Sequence, residues 1–215
     1  MSSAADQMDR MYRYQRYIYD ITRRPYLLGR TQLIEELEPV PGQSILEIGC
    51  GTAWNLVRAA SAYPETRVFG FDVSPVMLET ANRNILAAGF STRIKTAQAD
   101  ATAFDGLQLF GVPTFDRIFM SYTLSMIPDW PRVIWRAFEH VAPGGEIHIV
   151  DFGTFDGLPP VARSALRAWL DKFDVTPRIT LEQELRRQNL NRGWRLEFAH
   201  PYRGYSQTAK ITRPK

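Results

Sequence analysis

From residue 44 onward, short apolar runs alternate with amphipathic stretches of helical period. The run SILEIG (residues 44–49) reads as a buried strand, and a glycine turn separates it from the helix-like AWNLVRAASAY. RVFGFD (67–72) is a second strand; Ser74-Pro75 then opens the helix VMLETANRNILAAG, which Gly89 ends. TRIKTAQAD (92–100) and FDRIFMSY (115–122) are the third and fourth strands. PDWPRVIWRAFEHVAPGG reads as a helix stopped by Pro143-Gly144-Gly145, and EIHIVDF (146–152) as the fifth strand. Strands alternating with crossover helices predict an α/β fold, a Rossmann-like, doubly wound and mostly parallel sheet. The tail WRLEFAHPYRGYSQTAKI differs: two strands around a short Pro turn, an antiparallel C-terminal hairpin on the sheet edge. The expected organisation is one domain over residues 41–215 preceded by an N-terminal helical extension over residues 1–40.

Composition narrows the chemistry. At 215 residues with 45% hydrophobic content the chain can bury one sizeable core. Its apolar runs are far shorter than the roughly 18 residues that span a bilayer, and MSSAADQMDR has no apolar segment of a secretory leader. The single cysteine, Cys50, and three scattered histidines give neither a disulfide framework nor a metal-ligand spacing, so no metal is expected. Neither a P-loop nor a G-x-S-x-G turn occurs. The net charge of +3 is unevenly spread. Residues 10–30 carry six Arg against one Asp, and residues 186–215 carry eight Lys or Arg against one Glu. Basic ends around an acidic middle suggest an anionic partner, a nucleic acid or a membrane surface.

The turn EIGCGTAW sets Glu47, Gly49 and Gly51 where the first strand enters its helix. Glycines there let backbone N–H groups approach a ligand, and the helix N-terminus favours negative groups. Trp54 occupies the place of the third Gly of G-x-G-x-x-G, which argues against NAD. The turn instead resembles the [DE]-x-G-x-G-x-G signature of class I S-adenosylmethionine (SAM) methyltransferases, with Ala53 where a third Gly is common. Asp72 ends the second strand 21 residues after Gly51, where a carboxylate can take both ribose hydroxyls. The resemblance puts Asp100-Ala101 at the adenine, Ser121 and Met126 of SYTLSMI near the methionine moiety, and Val73 and Met77 among the cofactor contacts. Taken singly, each of these acids is more often a solvated loop carboxylate; four matches in register point to a SAM site.

The loop Ser121-Tyr122-Thr123-Leu124 lacks the [DN]-P-P-[YF] used on exocyclic base amines, and the one Cys lies in the cofactor turn, so nucleic acid is not the expected acceptor. The segments MYRYQRYIYDITRRPYLLGR, ILEIGCGTAWNL, FGFDVSPVMLETA, QADATAF, FDRIFMSYTLSMIPDW, APGGEIHIVDFG, RAWLDKFDVTPR and PYRGYS together resemble the BtaB family, the bacterial betaine-lipid N-methyltransferases. This resemblance implies three successive methyl transfers from SAM to the head-group amine of diacylglycerylhomoserine, giving diacylglyceryl-trimethylhomoserine and S-adenosyl-L-homocysteine. It implies a cytoplasmic protein held peripherally at the inner, anionic membrane face, with residues 1–40 as a membrane-facing lid over substrate and cofactor, and cooperation with the enzyme that makes diacylglycerylhomoserine. A quaternary ammonium donates no hydrogen bond and is best held against aromatic faces. Tyr14, Tyr17 and Tyr26, with Tyr202, Arg203 and Tyr205 of the tail, are therefore expected at the substrate. Arg30, with Tyr19 beside it, is expected at the SAM carboxylate. Tyr12, Tyr19 and Tyr26 lie seven apart and could equally dock a helix. Tyr122 and Asp151, each near the C-terminal end of a strand, are alternative positions for a base, and alignment alone could also suffice. Two other readings stay open: methylation of a soluble quinone or amino acid, and a SAM-binding fold without activity.

Overall fold

A computed structural model describes residues 27–215; Tyr14, Tyr17, Tyr19, Tyr26 and most of the 1–40 extension lie outside the described residues. A short helix α1 (Arg30–Glu35) precedes the alternation β1 (Ser44–Ile48), α2 (Trp54–Ala62), β2 (Arg67–Asp72), α3 (Pro75–Ala87) and β3 (Ile94–Gln98). Then follow α4 (Gly106–Phe110), β4 (Phe115–Ser121), a 3₁₀ turn (Leu124–Met126), α5 (Trp130–His140) and β5 (Val141–Phe152). The chain ends with α6 (Pro160–Asp171), α7 (Leu181–Asn189), β6 (Arg195–Ala199) and β7 (Ser206–Thr212).

Seven strands form one sheet in the order β3-β2-β1-β4-β5-β7-β6. The first five are parallel, and β7 and β6 close the edge antiparallel, as the tail pattern predicts. Strand alternation divides the core into two layers. Ile45, Val68, Phe119 and Val150 face α1, α2, α3 and α6 through Leu33, Leu56, Ala59, Leu78, Ala81 and Leu170. Leu46, Ile48, Phe69, Phe71, Met120 and Ile149 face α5 and α7 through Val133, Ile134, Phe138, Leu181 and Leu185. β1 is buried over its whole length, because helices cover both faces of a central parallel strand.

Ser74 caps α3, its hydroxyl accepting from the Met77 N–H at 3.3 Å, with Pro75 beginning the helix. One boundary differs from expectation. α5 ends at His140, before Pro143, because Val141 already pairs with Phe115 and draws the chain into the β4–β5 ladder. The helices α6 and α7 are not foreseen by the pattern. α6 buries only Leu170 and α7 only Leu181 and Leu185, so each shows too narrow an apolar stripe to read in advance.

Candidate functional site

The strand order reverses between β1 and β4, and the crevice outside the carboxyl ends of the strands opens there. A cavity of about 600 Å³ fills it. Its walls come from the turn after β1, the ends of β2 and β3, the loop after β4, α1 and the α6–α7 connection.

The glycine turn has two different jobs. Gly49 has φ 73°, and a Cβ there would meet Thr123 Cγ2 at 2.5 Å, so its glycine closes β1 against the loop after β4. Gly51 has φ 51° and nothing within 4 Å of where a Cβ would stand. It leaves a cradle beside the backbone that any side chain would fill. Ala53 adopts φ 65° as a fully buried cap of α2. The departure from glycine therefore keeps the turn, with the left-handed conformation costing on the order of 1–2 kcal/mol.

Asp72 closes this turn from β2. Its carboxylate accepts the Gly51 N–H at 2.8 Å and the Ser74 N–H at 3.0 Å. Burial pushes its carboxyl up, while the backbone donors at Ser74, Gly51 and Val73 oppose this. Asp72 also lines the cavity, at the end of β2. Glu47 is the second buried acid. Oε1 accepts Asn55 Nδ2 at 2.5 Å, whereas Oε2 has no partner among the described residues. Burial raises the Glu47 carboxyl to about 8 against the pull of Asn55 and of the Arg30 charge. Arg30 itself donates to Asn55 Oδ1 at 3.2 Å and lies 4.3 Å above the Trp54 ring. Asp100 is exposed and binds the Thr102 N–H and hydroxyl, both at 2.8 Å, beside the buried Ala101.

Arg30, Glu47, Gly49, Gly51, Asp72, Val73, Met77, Asp100, Ala101, Ser121 and Met126, the described residues expected at SAM, all line this one cavity. Asn55, which orients both Glu47 and Arg30, escaped the sequence reading: nothing in a helix's first turn signals a side chain pointing back at the preceding strand.

The expected bases fare differently. Tyr122 lines the cavity, but its hydroxyl donates to the Leu28 carbonyl at 2.6 Å and burial pushes its ionisation far above the ordinary phenol range. In this arrangement the phenol is a hydrogen-bond donor to backbone. Asp151 lies outside the cavity wall and is fully buried, its oxygens accepting the Ser125 N–H at 3.0 Å and the Phe152 N–H at 2.7 Å. Burial raises it to about 6. It is a support for the loop after β4. Tyr202 and Arg203 are exposed and Tyr205 packs on Phe152 and Phe155, and none of the three lines the cavity. No three potential metal ligands gather among the described residues, and none of the described helices is long and apolar enough to cross a membrane.

An acid with a free oxygen, an open glycine cradle and a carboxylate at the second strand suit the polar groups of SAM. Residues 45–145 match the family described as "Methyltransferase domain". The demethylmenaquinone methyltransferase of Geobacillus stearothermophilus is 28% identical over 134 residues, 61% of this chain and 55% of that protein. The phosphoethanolamine N-methyltransferase 1 of Triticum aestivum is 29% identical over 128 residues, 60% of this chain and 24% of that one. The chain thus spans about half or less of the length of these curated relatives. The structure of Haemonchus contortus phosphoethanolamine N-methyltransferase 2 in complex with S-adenosyl-L-methionine superposes with a TM-score of 0.79 at 16% identity, covering 100% of this chain and 61% of that one. Matched residues, relatives and fold agree: residues 45–145 of this chain resemble a methyltransferase domain.

Proposed function

We propose that the chain is an N-methyltransferase that trimethylates the head-group amine of diacylglycerylhomoserine at an anionic membrane face. The convergence of the β1 turn, Asp72, Asp100 and the loop after β4 on one cavity carries the methyl-transfer part of this reading. The amine acceptor is supported by the segments that resemble betaine-lipid enzymes and by the amine named for the wheat relative. The basic residues 10–30 and 186–215 support the membrane part.

SAM supplies the electrophilic methyl group when bound. Glu47, Asp72, Asp100 and the Gly51 cradle would hold it, with Arg30 at its carboxylate. The protein's work is then alignment and exclusion of water. Asp151 fixes the loop after β4, and Tyr122 fixes Leu28 above the cavity. Neither accepts the amine's proton, so the proton leaves to water past exposed lining residues such as Asp100 and Pro128.

Purified chain with SAM and detergent-solubilised diacylglycerylhomoserine is expected to give mono-, di- and trimethylated lipid by mass spectrometry. Methylation of a quinol with none of the lipid would instead favour the second reading, which the demethylmenaquinone methyltransferase similarity supports. Sedimentation with phosphatidylglycerol vesicles, lost at high salt, tests the membrane part.

A further inference from the structure

Two charged side chains of the cavity wall remain unused by the cofactor positions: Asp174 and Arg178, both on the connection between α6 and α7. That connection is laced to the loop after β4. The Thr176 N–H donates to the Ser125 carbonyl at 2.9 Å. Arg178 Nε donates to the Leu124 carbonyl at 2.9 Å, and Nη2 reaches the Ile127 carbonyl at 2.8 Å and that of Ser125 at 3.4 Å. These carbonyls orient the guanidinium without neutralising it. Nη1 has no protein partner among the described residues. Asp151 contributes its field, but its oxygens already accept backbone N–H groups.

Asp174 sits on the same wall at φ 54°, exposed and flanked by the buried Val175, which fixes its place. Its carboxylate joins no ion pair among the described residues, with Arg178 or any other cation. An uncompensated anion and a cation with a free donor therefore share the wall formed with the loop after β4. That is the wall at which an acceptor must stand, since the other charges belong to the cofactor positions.

We infer that Asp174 and Arg178 recognise a zwitterionic amino-acid group on the acceptor, Asp174 holding its ammonium and Arg178 its carboxylate. The inference rests on the amine-methylation reading and sharpens it. The attraction of Asp174 for a cation needs no hydrogen-bond donor, so it persists when the nitrogen is fully methylated. Arg178 supplies a charge-assisted donor to the carboxylate.

The test separates binding from turnover. Calorimetry on the chain loaded with S-adenosyl-L-homocysteine compares O-hexylhomoserine with an analogue lacking the carboxylate and one lacking the amine. The intact zwitterion is expected to bind at least about tenfold tighter than either, a difference of one charge-assisted contact. Asp174→Asn should erase the advantage over the amine-free analogue, and Arg178→Gln that over the carboxylate-free one, with SAM affinity unchanged. Equal affinity for all three compounds in the unmodified chain overturns the inference, as does an Asp174→Asn chain that still prefers the amine. If Arg178→Gln fails to fold, the three-compound comparison on the unmodified chain still decides. Tight zwitterion binding without methylation of O-hexylhomoserine or the lipid would overturn the methyltransferase reading and leave this site standing.

Discussion

The Glu47 carboxyl, raised to about 8 by burial, should make SAM binding a proton-releasing event. A group with that pKa is protonated in about 0.9 of molecules at pH 7 and about half at pH 8. The arriving ligand carries cationic sulfonium and ammonium groups, which favour the carboxylate over the acid. Its oxygen Oε2, without a partner in the protein, is where that preference acts. Binding should therefore release about 0.9 of a proton at pH 7 and almost none above pH 9. Calorimetric titrations in phosphate and in Tris measure this from the dependence of the heat on buffer ionisation enthalpy. SAM affinity should climb by up to about tenfold per pH unit below pH 8 and then level off. Glu47→Gln should abolish both the buffer dependence and the climb. The sign for stability follows from the same shift. Because the folded value lies above the ordinary 4.5, the stabilisation is complete below about pH 4.5 and is lost as pH rises through 8. Without ligand, Glu47→Gln should thus gain Tm on the unmodified chain at pH 8 relative to pH 5. Identical heats in both buffers at pH 7, or unchanged proton release in the Gln variant, would refute the reasoning.

Gly51→Val should keep the fold at a cost of about 1–2 kcal/mol for its left-handed φ while losing SAM binding, since the space a Cβ would take is open; circular dichroism and calorimetry read the two effects separately. Asp72→Ala should lose most SAM affinity and also about 1–3 kcal/mol of stability for each backbone donor it strands, at Gly51 and Ser74, which urea titration measures. Glu146 is pushed up by partial burial, but His148, Lys210 and Arg117 pull it down to about 2. Its contribution to stability is present above pH 4.5 and lost as pH falls toward 2, so the Tm of the unmodified chain should drop more steeply over that range than that of Glu146→Gln. Replacing Tyr14, Tyr17 or Tyr19 by Leu should let mono- and dimethylated lipid accumulate, because the loss of ring-face attraction grows with each methyl; mass spectrometry showing every step slowed equally would make those rings scaffold.

Periodicity alone determined the parallel α/β sheet and the edge hairpin, whereas the expected cofactor positions came from the glycine turn, the strand-end acids and their resemblance to SAM enzymes; strand ends and glycine turns are local features, and a doubly wound sheet puts its ligand at one known edge. Residues 1–26 offer their tyrosines and arginines only as sequence. Other features depended on packing between segments far apart in the chain. Tyr122 and Asp151 look alike as strand-end titratable groups, and only the fold shows Tyr122 bound to the Leu28 carbonyl at the cavity wall and Asp151 buried behind it on the Ser125 and Phe152 N–H groups. Tyr202, Arg203 and Tyr205 share the aromatic and basic character of a lipid clamp, yet only the fold shows Tyr202 against Gln32 of α1 and Tyr205 packed on Phe152 and Phe155, with none of the three lining the cavity. Arg178 ends the segment RAWLDKFDVTPR, in which no spacing marks it as a cavity residue. Its place facing the cavity exists because three carbonyls of the loop after β4, more than 50 residues earlier, turn its guanidinium toward them. Sequence specifies which groups a chain has at its strand ends; the long-range hydrogen bonds of the folded sheet decide which of them remain free to meet a ligand.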